Sequence, residues 1–318
     1  MTSLDRPNLD WRLTASPVRA LVETTKPGIV RLVTITSMVG FALAATAPAV
    51  TLAWWTILLH GLIAAIGTAL SAAGANSINQ WMERTRDALM PRTQRRPLPQ
   101  DRIAPRSVLI LGVTLSIVGC ALLLILPNIW PAILAATCVL VYVFAYTPLK
   151  VISPWSTYVG TIPGGLPPLI GFTALASTNA LSTILDPLGL SLVAIMLVWQ
   201  MPHSLALAWM YKDDYAKGGY RLLPVVTPDG AQTAWHAWIW TLVLIPVSLL
   251  PAYFEPTRIG VVYVALACLT NAAFVHAGWK FFRTRDRATA RRLFFVSIIQ
   301  LPLLFAALVG EALVRVVL

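Results

Sequence analysis

Charged residues are scarce in this chain: Asp, Glu, Lys and Arg make up 12% of its 318 residues, against 57% hydrophobic ones and a mean hydropathy of +0.72. So little polar surface could not cover a soluble domain of this size, so the composition reads as an integral membrane protein. Cysteine is rarer still. Cys120, Cys138 and Cys268 fall in apolar stretches, with neither a CxxC pair nor a CxxCH sequence, which excludes a thiolate metal site of that spacing and c-type haem attachment. A cleavable leader is not expected: Arg6, Arg12 and Arg19 are mixed with Asp5, Asp10 and Glu23, and the apolar run after them is too long for a signal. Residues 1–26 are therefore expected to form a retained polar cytoplasmic tail, and residues 27–318 one transmembrane domain.

What the chain has in quantity is apolar runs of the ~20 residues that cross a ~30 Å hydrocarbon layer as helix. Nine helices are predicted, at 28–47, 52–76, 107–127, 129–147, 154–177, 187–210, 232–254, 257–280 and 293–316, giving an all-α bundle. Pro and Gly between Thr161 and Gly171 are expected to kink the fifth span rather than break it, because neighbouring helices satisfy the freed backbone groups. Trp54-Trp55, Trp235, Trp238 and Trp240 read first as interfacial belts.

Five Lys or Arg residues lie up to Arg31, seven between helices two and three, one at Lys150, three between six and seven, and six between eight and nine. Those 22 share one side, which leaves Arg258 and Arg315 for the other. The positive-inside rule then places the N-terminus and both long polar connections, 77–106 and 211–231, in the cytoplasm. It also accounts for the net charge of +11 without nucleic acid. Four helices separate the two connections, which suggests a parallel four-helix repeat.

The chemistry concentrates in those connections. On a helix continuing out of the second span, Asn79, Glu83 and Asp87 stand four apart and project from nearly one face. Hard oxygen ligands so arranged suit Mg²⁺, which takes one or two carboxylates plus substrate phosphates. Arg92, Arg95, Arg96 and Arg102 follow, and guanidinium forks match phosphate oxygens. Acid for metal beside base for phosphate is what a diphosphate site needs, although an ordinary charged loop would show the same residues. In the second connection Asp213 and Asp214 are adjacent and so cannot share a helix face; one is a candidate metal ligand, the other a cap or a partner of Lys212 or Lys217. Lys150, four residues after Tyr146, is the only cation of a short turn, and Lys26-Pro27-Gly28 opens the first helix. Both lysines are candidate phosphate contacts. His203 follows Pro202 in an apolar span, as an iron ligand, an acid or base, or a packing histidine.

These residues resemble the UbiA-type intramembrane prenyltransferases. The signature Asn-x-x-x-Asp-x-x-x-Asp followed by Met-x-Arg-Thr stands here as Asn79, Glu83, Asp87, Met90, Arg92 and Thr93, with Glu in place of the first Asp. Lys26-Pro27-Gly28, Tyr146-Thr147 through Lys150, Gly164 to Gly171, Pro202-His203, and Lys212 to Tyr215 with Leu223-Pro224-Val225 are similar to the haem-modifying branch of that family. The second acid motif is not a full Asp-x-x-x-Asp; Asp213 and Asp214 remain. The resemblance spans about residues 24–310.

It implies a multi-pass bundle of nine helices in the cell inner membrane, with the site toward the cytoplasm. It further implies farnesyl diphosphate as donor, protoheme as acceptor and Mg²⁺ as cofactor. Asn79, Glu83 and Asp87 would act at the reacting diphosphate and hold metal with Asp213 and Asp214. Lys26, Arg92, Arg95, Arg96, Tyr146 and Lys150 would bind the donor, and His203 would contact the haem. A haem A synthase or a terminal-oxidase assembly factor is the protein partner to expect. Two other readings stand beside this one: a branch acting on a quinone precursor or chlorophyll-like ring, and a transporter or scaffold with no chemistry.

Overall fold

The computed structural model describes residues 16–48 and 50–317. Residues 1–15 of the expected tail, including Asp5, Arg6, Asp10 and Arg12, lie outside the described residues. The described residues form helices and no strands. In order these are α1 (Pro17–Thr24), α2 (Pro27–Ala45), α3 (Trp54–Asp87), α4 (Pro105–Leu123) and α5 (Trp130–Leu140), which runs through a π-helical segment (Val141–Tyr146) into α6 (Thr147–Leu149). They continue as α7 (Ser156–Gly165), α8 (Pro167–Thr173), α9 (Leu181–Ile184), α10 (Pro187–Met210), α11 (Lys212–Lys217), α12 (Leu223–Val226), α13 (Ala231–Phe254), α14 (Val261–Thr284) and α15 (Arg287–Val317).

Eight of these segments are long and apolar enough to span a membrane, with Trp130–Leu149 as one of them. The chain is a multi-pass membrane protein. The expected fifth span is α7 followed by α8. Pro167 and Pro168 have no amide hydrogen to offer Pro163 O and Gly164 O, so the helical ladder lapses there. Leu166 between them keeps a helical φ of −76° and ψ of −24°, so the path bends without leaving helical conformation. Glycine lets this broken span press against α2: a Cβ on Gly40 would collide with Pro168 O, and one on Gly171 with Ser37 O.

The apolar core has two centres. The larger lies among α10, α13, α14 and α15 and buries Tyr263, Phe274 and Phe281 completely; the smaller joins α3, α4, α5 and α8 around Leu123, Ala135 and Ile170. One part of the expected tail has more structure than its polarity suggested. Helix α1 docks on α3, with Gln80 Nε2 donating to Glu23 O and Thr24 O at 3.1 Å each, and Arg102 pairs with Glu23 at 2.5 Å. The α3–α4 connection, the Lys150 turn, the α10–α13 connection and the start of α2 all meet at this end. At the other end Arg258 donates to Leu43 O and Thr46 Oγ1, and Arg315 to Thr257 O.

Candidate active site

Helix α3 has 34 residues, about 51 Å at ~1.5 Å per residue, and so outruns a ~30 Å hydrocarbon layer. Its last turns carry Asn79, Glu83 and Asp87, which are only 0%, 6% and 1% exposed. Each of them meets a basic side chain from elsewhere in the chain. Lys26 Nζ donates to Asn79 Oδ1 at 2.5 Å, Lys150 Nζ lies 2.5 Å from Glu83 Oε1, and Arg96 Nη1 donates to Asp87 Oδ2 at 2.7 Å. Thr147 Oγ1 accepts from Asn79 Nδ2 and donates to Tyr142 O; Thr93 Oγ1 donates to Asp87 O. Three cations therefore surround two carboxylates, and the cluster favours an added anion.

Backbone irregularities aim the lysines. Lys26 sits between α1 and Pro27 in the left-handed region, at φ 53° and ψ 67°, which costs a non-glycine residue roughly 1–2 kcal/mol. Lys150 follows the π-helical segment, a distortion that often marks functional positions. Burial, with repulsion from Arg96, pulls the Lys26 ammonium down to about 7 even though Glu83 attracts it. Burial also opposes charge on Lys150, but Glu83 beside it holds that ammonium well above its ordinary range.

Directly beneath this cluster is a cavity of about 290 Å³, lined among others by Asn76, Tyr142, Tyr146, Gly160, Gln200 and Ser204. Asn76 precedes Asn79 by about one helical turn, and the Tyr142 hydroxyl donates to its Oδ1 at 3.4 Å. Lys150 Nζ stands 4.6 Å from the Tyr146 ring centroid, so one tyrosine faces both the cavity and the charges. Both helical irregularities, the π-helical segment and the α7–α8 break, contribute to its wall, where lapsed backbone pairing at membrane depth is tolerated.

The expected site residues divide. Asn79, Glu83, Asp87, Lys26, Lys150, Arg96 and Tyr146 come together. Arg92, Arg95, Asp213, Asp214 and His203 do not join them. Arg95 is exposed. Arg92 turns toward α11, and its backbone N–H donates to Asp214 Oδ2 at 3.3 Å, while Asp213 is exposed to solvent. The acids part because they are adjacent on α11, where neighbouring side chains point in different directions. His203 stacks on Trp199 at 4.8 Å, lies 4.7 Å from the Phe294 ring and hydrogen-bonds Ser297 Oγ through Nδ1 at 2.8 Å. Gln200, Ser204, Leu207 and Ala208 form the face of α10 that lines the cavity, and His203 is turned from that face toward α15. Tyr142, Gln200 and Ser204 went unforeseen, and Thr147 was named only as part of the Tyr146–Lys150 motif, with no role; of the three, only Tyr142, four residues before Tyr146, carried a signal of spacing.

The α3 face fits a magnesium ion. Asp87 Oδ1 is buried without a hydrogen-bond partner, and Glu83 Oε1 pairs with Lys150 by charge and proximity without hydrogen-bond alignment. Two hard carboxylates with such oxygens, plus phosphate from a substrate, make an ordinary Mg²⁺ donor set. Among the described residues no three His, Cys, Asp or Glu side chains gather.

A membrane-embedded cavity roofed by buried acids and a surplus of cations defines an intramembrane enzyme for substrates with an apolar body and an anionic head. The chain belongs to the UbiA prenyltransferase family, which it matches over residues 32–299. It is 39% identical over 290 residues to the protoheme IX farnesyltransferase of Solibacter usitatus, covering 91% of this chain and 97% of that one. Its fold is similar to the solved digeranylgeranylglyceryl phosphate synthase (TM-score 0.73, 18% identity, 93% of this chain and 98% of that chain). It is also similar to a UbiA homolog from Archaeoglobus fulgidus bound to GPP and Mg²⁺ (TM-score 0.56, 12% identity, 91% and 99%).

Proposed function

We infer that this chain transfers a farnesyl group from farnesyl diphosphate to a vinyl group of protoheme (haem B), with water then adding at the vinyl-derived cation and losing a proton, giving haem O and diphosphate. The observation that carries the transfer chemistry is the buried Asn79–Glu83–Asp87 face with Lys26, Lys150 and Arg96 around it, set at the mouth of an apolar cavity. The choice of farnesyl and haem rests on the relative from Solibacter usitatus and others like it.

Lys26, Lys150 and Arg96 take the negative charge that grows on the diphosphate as its bond to the allylic carbon breaks. Asn79, Glu83 and Asp87 would hold Mg²⁺, which when bound supplies further neutralisation of the leaving group. The cavity walls, with Tyr142 and Tyr146 nearest the charges, keep bulk water from the allylic carbon. The N-terminus and the 77–106 and 211–231 connections face the cytoplasm of a cell inner membrane. A cysteine placed at residue 100 would then escape an impermeant label applied outside intact cells. Haem O made here would pass to a haem A synthase or a terminal-oxidase assembly factor.

The test is to incubate membranes containing the chain with Mg²⁺, farnesyl diphosphate and protoheme, and to look by mass spectrometry for farnesylated haem. Unchanged haem together with prenylation of a phenolic acid would move the acceptor to a quinone precursor.

A further inference from the structure

The two connections at the charged end are fastened to each other by arginines. The guanidinium carbon of Arg92 lies 4.7 Å from the Tyr211 ring centroid and 5.3 Å from that of Tyr215. Its Nη2 donates to the Tyr215 hydroxyl at 3.2 Å, and its backbone N–H donates to Asp214 Oδ2. Arg86 makes a second fastening, with Nη1 donating to Gly218 O at 3.0 Å. What these contacts hold is the wall of the cavity. Tyr215 and Leu222 line it, and they pack with Met90 and the buried Tyr220 in one apolar cluster. Tyr220 also brings its ring within 5.6 Å of Lys150 Nζ, so the wall reaches the charged cluster.

We propose that Arg92 is a positioning residue that acts through Tyr215: it clamps α11 over the mouth of the cavity and keeps water from the carbon that loses diphosphate, and it does not itself bind the diphosphate. The proposal rests on the prenyl-transfer reading above. The planar guanidinium stacks on aromatic faces and forks toward a hydroxyl, which an ammonium on a flexible stem does not reproduce. Arg92 is exposed, so each contact is individually weak and the clamp depends on several together. With the clamp loosened, water oxygen attacks the allylic carbon, the carbon–oxygen bond to diphosphate breaks, diphosphate leaves with the electron pair, and the water proton goes to solvent. The products are farnesol and diphosphate.

The experiment uses the purified full chain with Mg²⁺, farnesyl diphosphate and protoheme, and measures farnesol, diphosphate and farnesylated haem. It compares the unaltered chain with Arg92→Ala, Arg92→Lys, Tyr215→Phe, Tyr215→Ala and the double alanine variant, and includes inhibition by inorganic pyrophosphate. Arg92→Ala should raise farnesol per diphosphate released roughly tenfold, because exclusion of water is what suppresses hydrolysis. Pyrophosphate inhibition should stay within about twofold, since the residue gives the diphosphate no ligand. The double variant should leak no more than the worse single one, because both residues belong to one contact. Arg92→Lys should leak nearly as much as alanine. Tyr215→Phe, which keeps the ring, should leak to an intermediate degree, so the result does not depend on a truncated side chain folding. Pyrophosphate inhibition weakened about tenfold without extra farnesol would make Arg92 a phosphate ligand and overturn the proposal; additive leaks from Arg92 and Tyr215 would overturn it as well. If the unaltered chain makes no farnesylated haem, the haem reading fails separately. Farnesol yields from farnesyl diphosphate alone then decide the clamp, and equal yields in all variants would end it.

Discussion

Among α13, α14 and α15 one network of buried polar side chains is neutral and internally paired: Asn271 Nδ2 donates to Ser248 Oγ at 2.7 Å, Gln300 Nε2 to Asn271 Oδ1 at 3.2 Å, and the Tyr263 hydroxyl to Ser248 O. Around the end of α3 the network includes charges, with Glu83 and Asp87 set against Lys26, Lys150 and Arg96, and Asp87 Oδ1 is left without a hydrogen bond. The first arrangement sits inside a core of large apolar side chains and ties helices together. The second sits over a cavity and carries the cost of desolvated charge. Groups held at such a cost beside a cleft are where chemistry is expected, so one half of the bundle reads as scaffold and the other as site.

The sharpest way to break this contrast is to truncate one side chain in each half. Asp87→Ala should lower diphosphate release by roughly 10²–10³-fold, the scale seen when one preorganised electrostatic contact to a transition state is lost. The yield of folded protein, measured by size-exclusion chromatography in detergent, should change little. Phe274→Ala should do the reverse. Its ring is fully buried, and its loss should cost about 3–5 kcal/mol of stability, read as a lower Tm, with turnover per folded molecule preserved. Near-normal turnover in Asp87→Ala would dissolve the distinction between the halves.

Within the charged half, Lys150→Met leaves Glu83 buried without its partner and should cost about 3–5 kcal/mol. Adding Glu83→Gln should restore much of the Tm without restoring turnover, because it removes the stranded charge and the metal-facing carboxylate together. Thermal melts and diphosphate release on the same samples check both parts.

The smallest expected effect is a pH dependence. With the Lys26 ammonium at about 7 in the fold, the free site is protonated below that pH and neutral above it. An anionic diphosphate prefers the protonated form. Binding of a non-hydrolysable farnesyl diphosphate analogue should therefore take up a proton, and weaken above pH 7 by at most about tenfold per pH unit. Lys26→Arg stays charged throughout and should flatten that slope, which separates the lysine's titration from that of the ligand. Parallel slopes for the two proteins would remove Lys26 from the anion site.

Much of this was legible in the sequence because the relevant signals are local. Hydropathy over about 20 residues marks a span wherever the chain goes next, and a spacing of four puts Asn79, Glu83 and Asp87 on one helix face without reference to any neighbour. The prolines at 167 and 168 announced the distortion of the fifth span for the same reason: a missing amide hydrogen is a property of the residue itself. His203 and Asp214 show where local signals end. Each is a chemically apt residue at a suggestive position, yet the direction of a side chain on α10 or α11 depends on which helix packs beside it.

The sequence by itself determined the membrane bundle and the acid face of α3, because periodicity and composition act within a few helical turns. Only the tertiary structure decided which cation meets which oxygen. Lys26 and Asn79 are 53 residues apart, Arg92 and Asp214 are 122 apart, and their pairing depends on how distant helices dock, a matter of shape and close packing that no short stretch of chain contains.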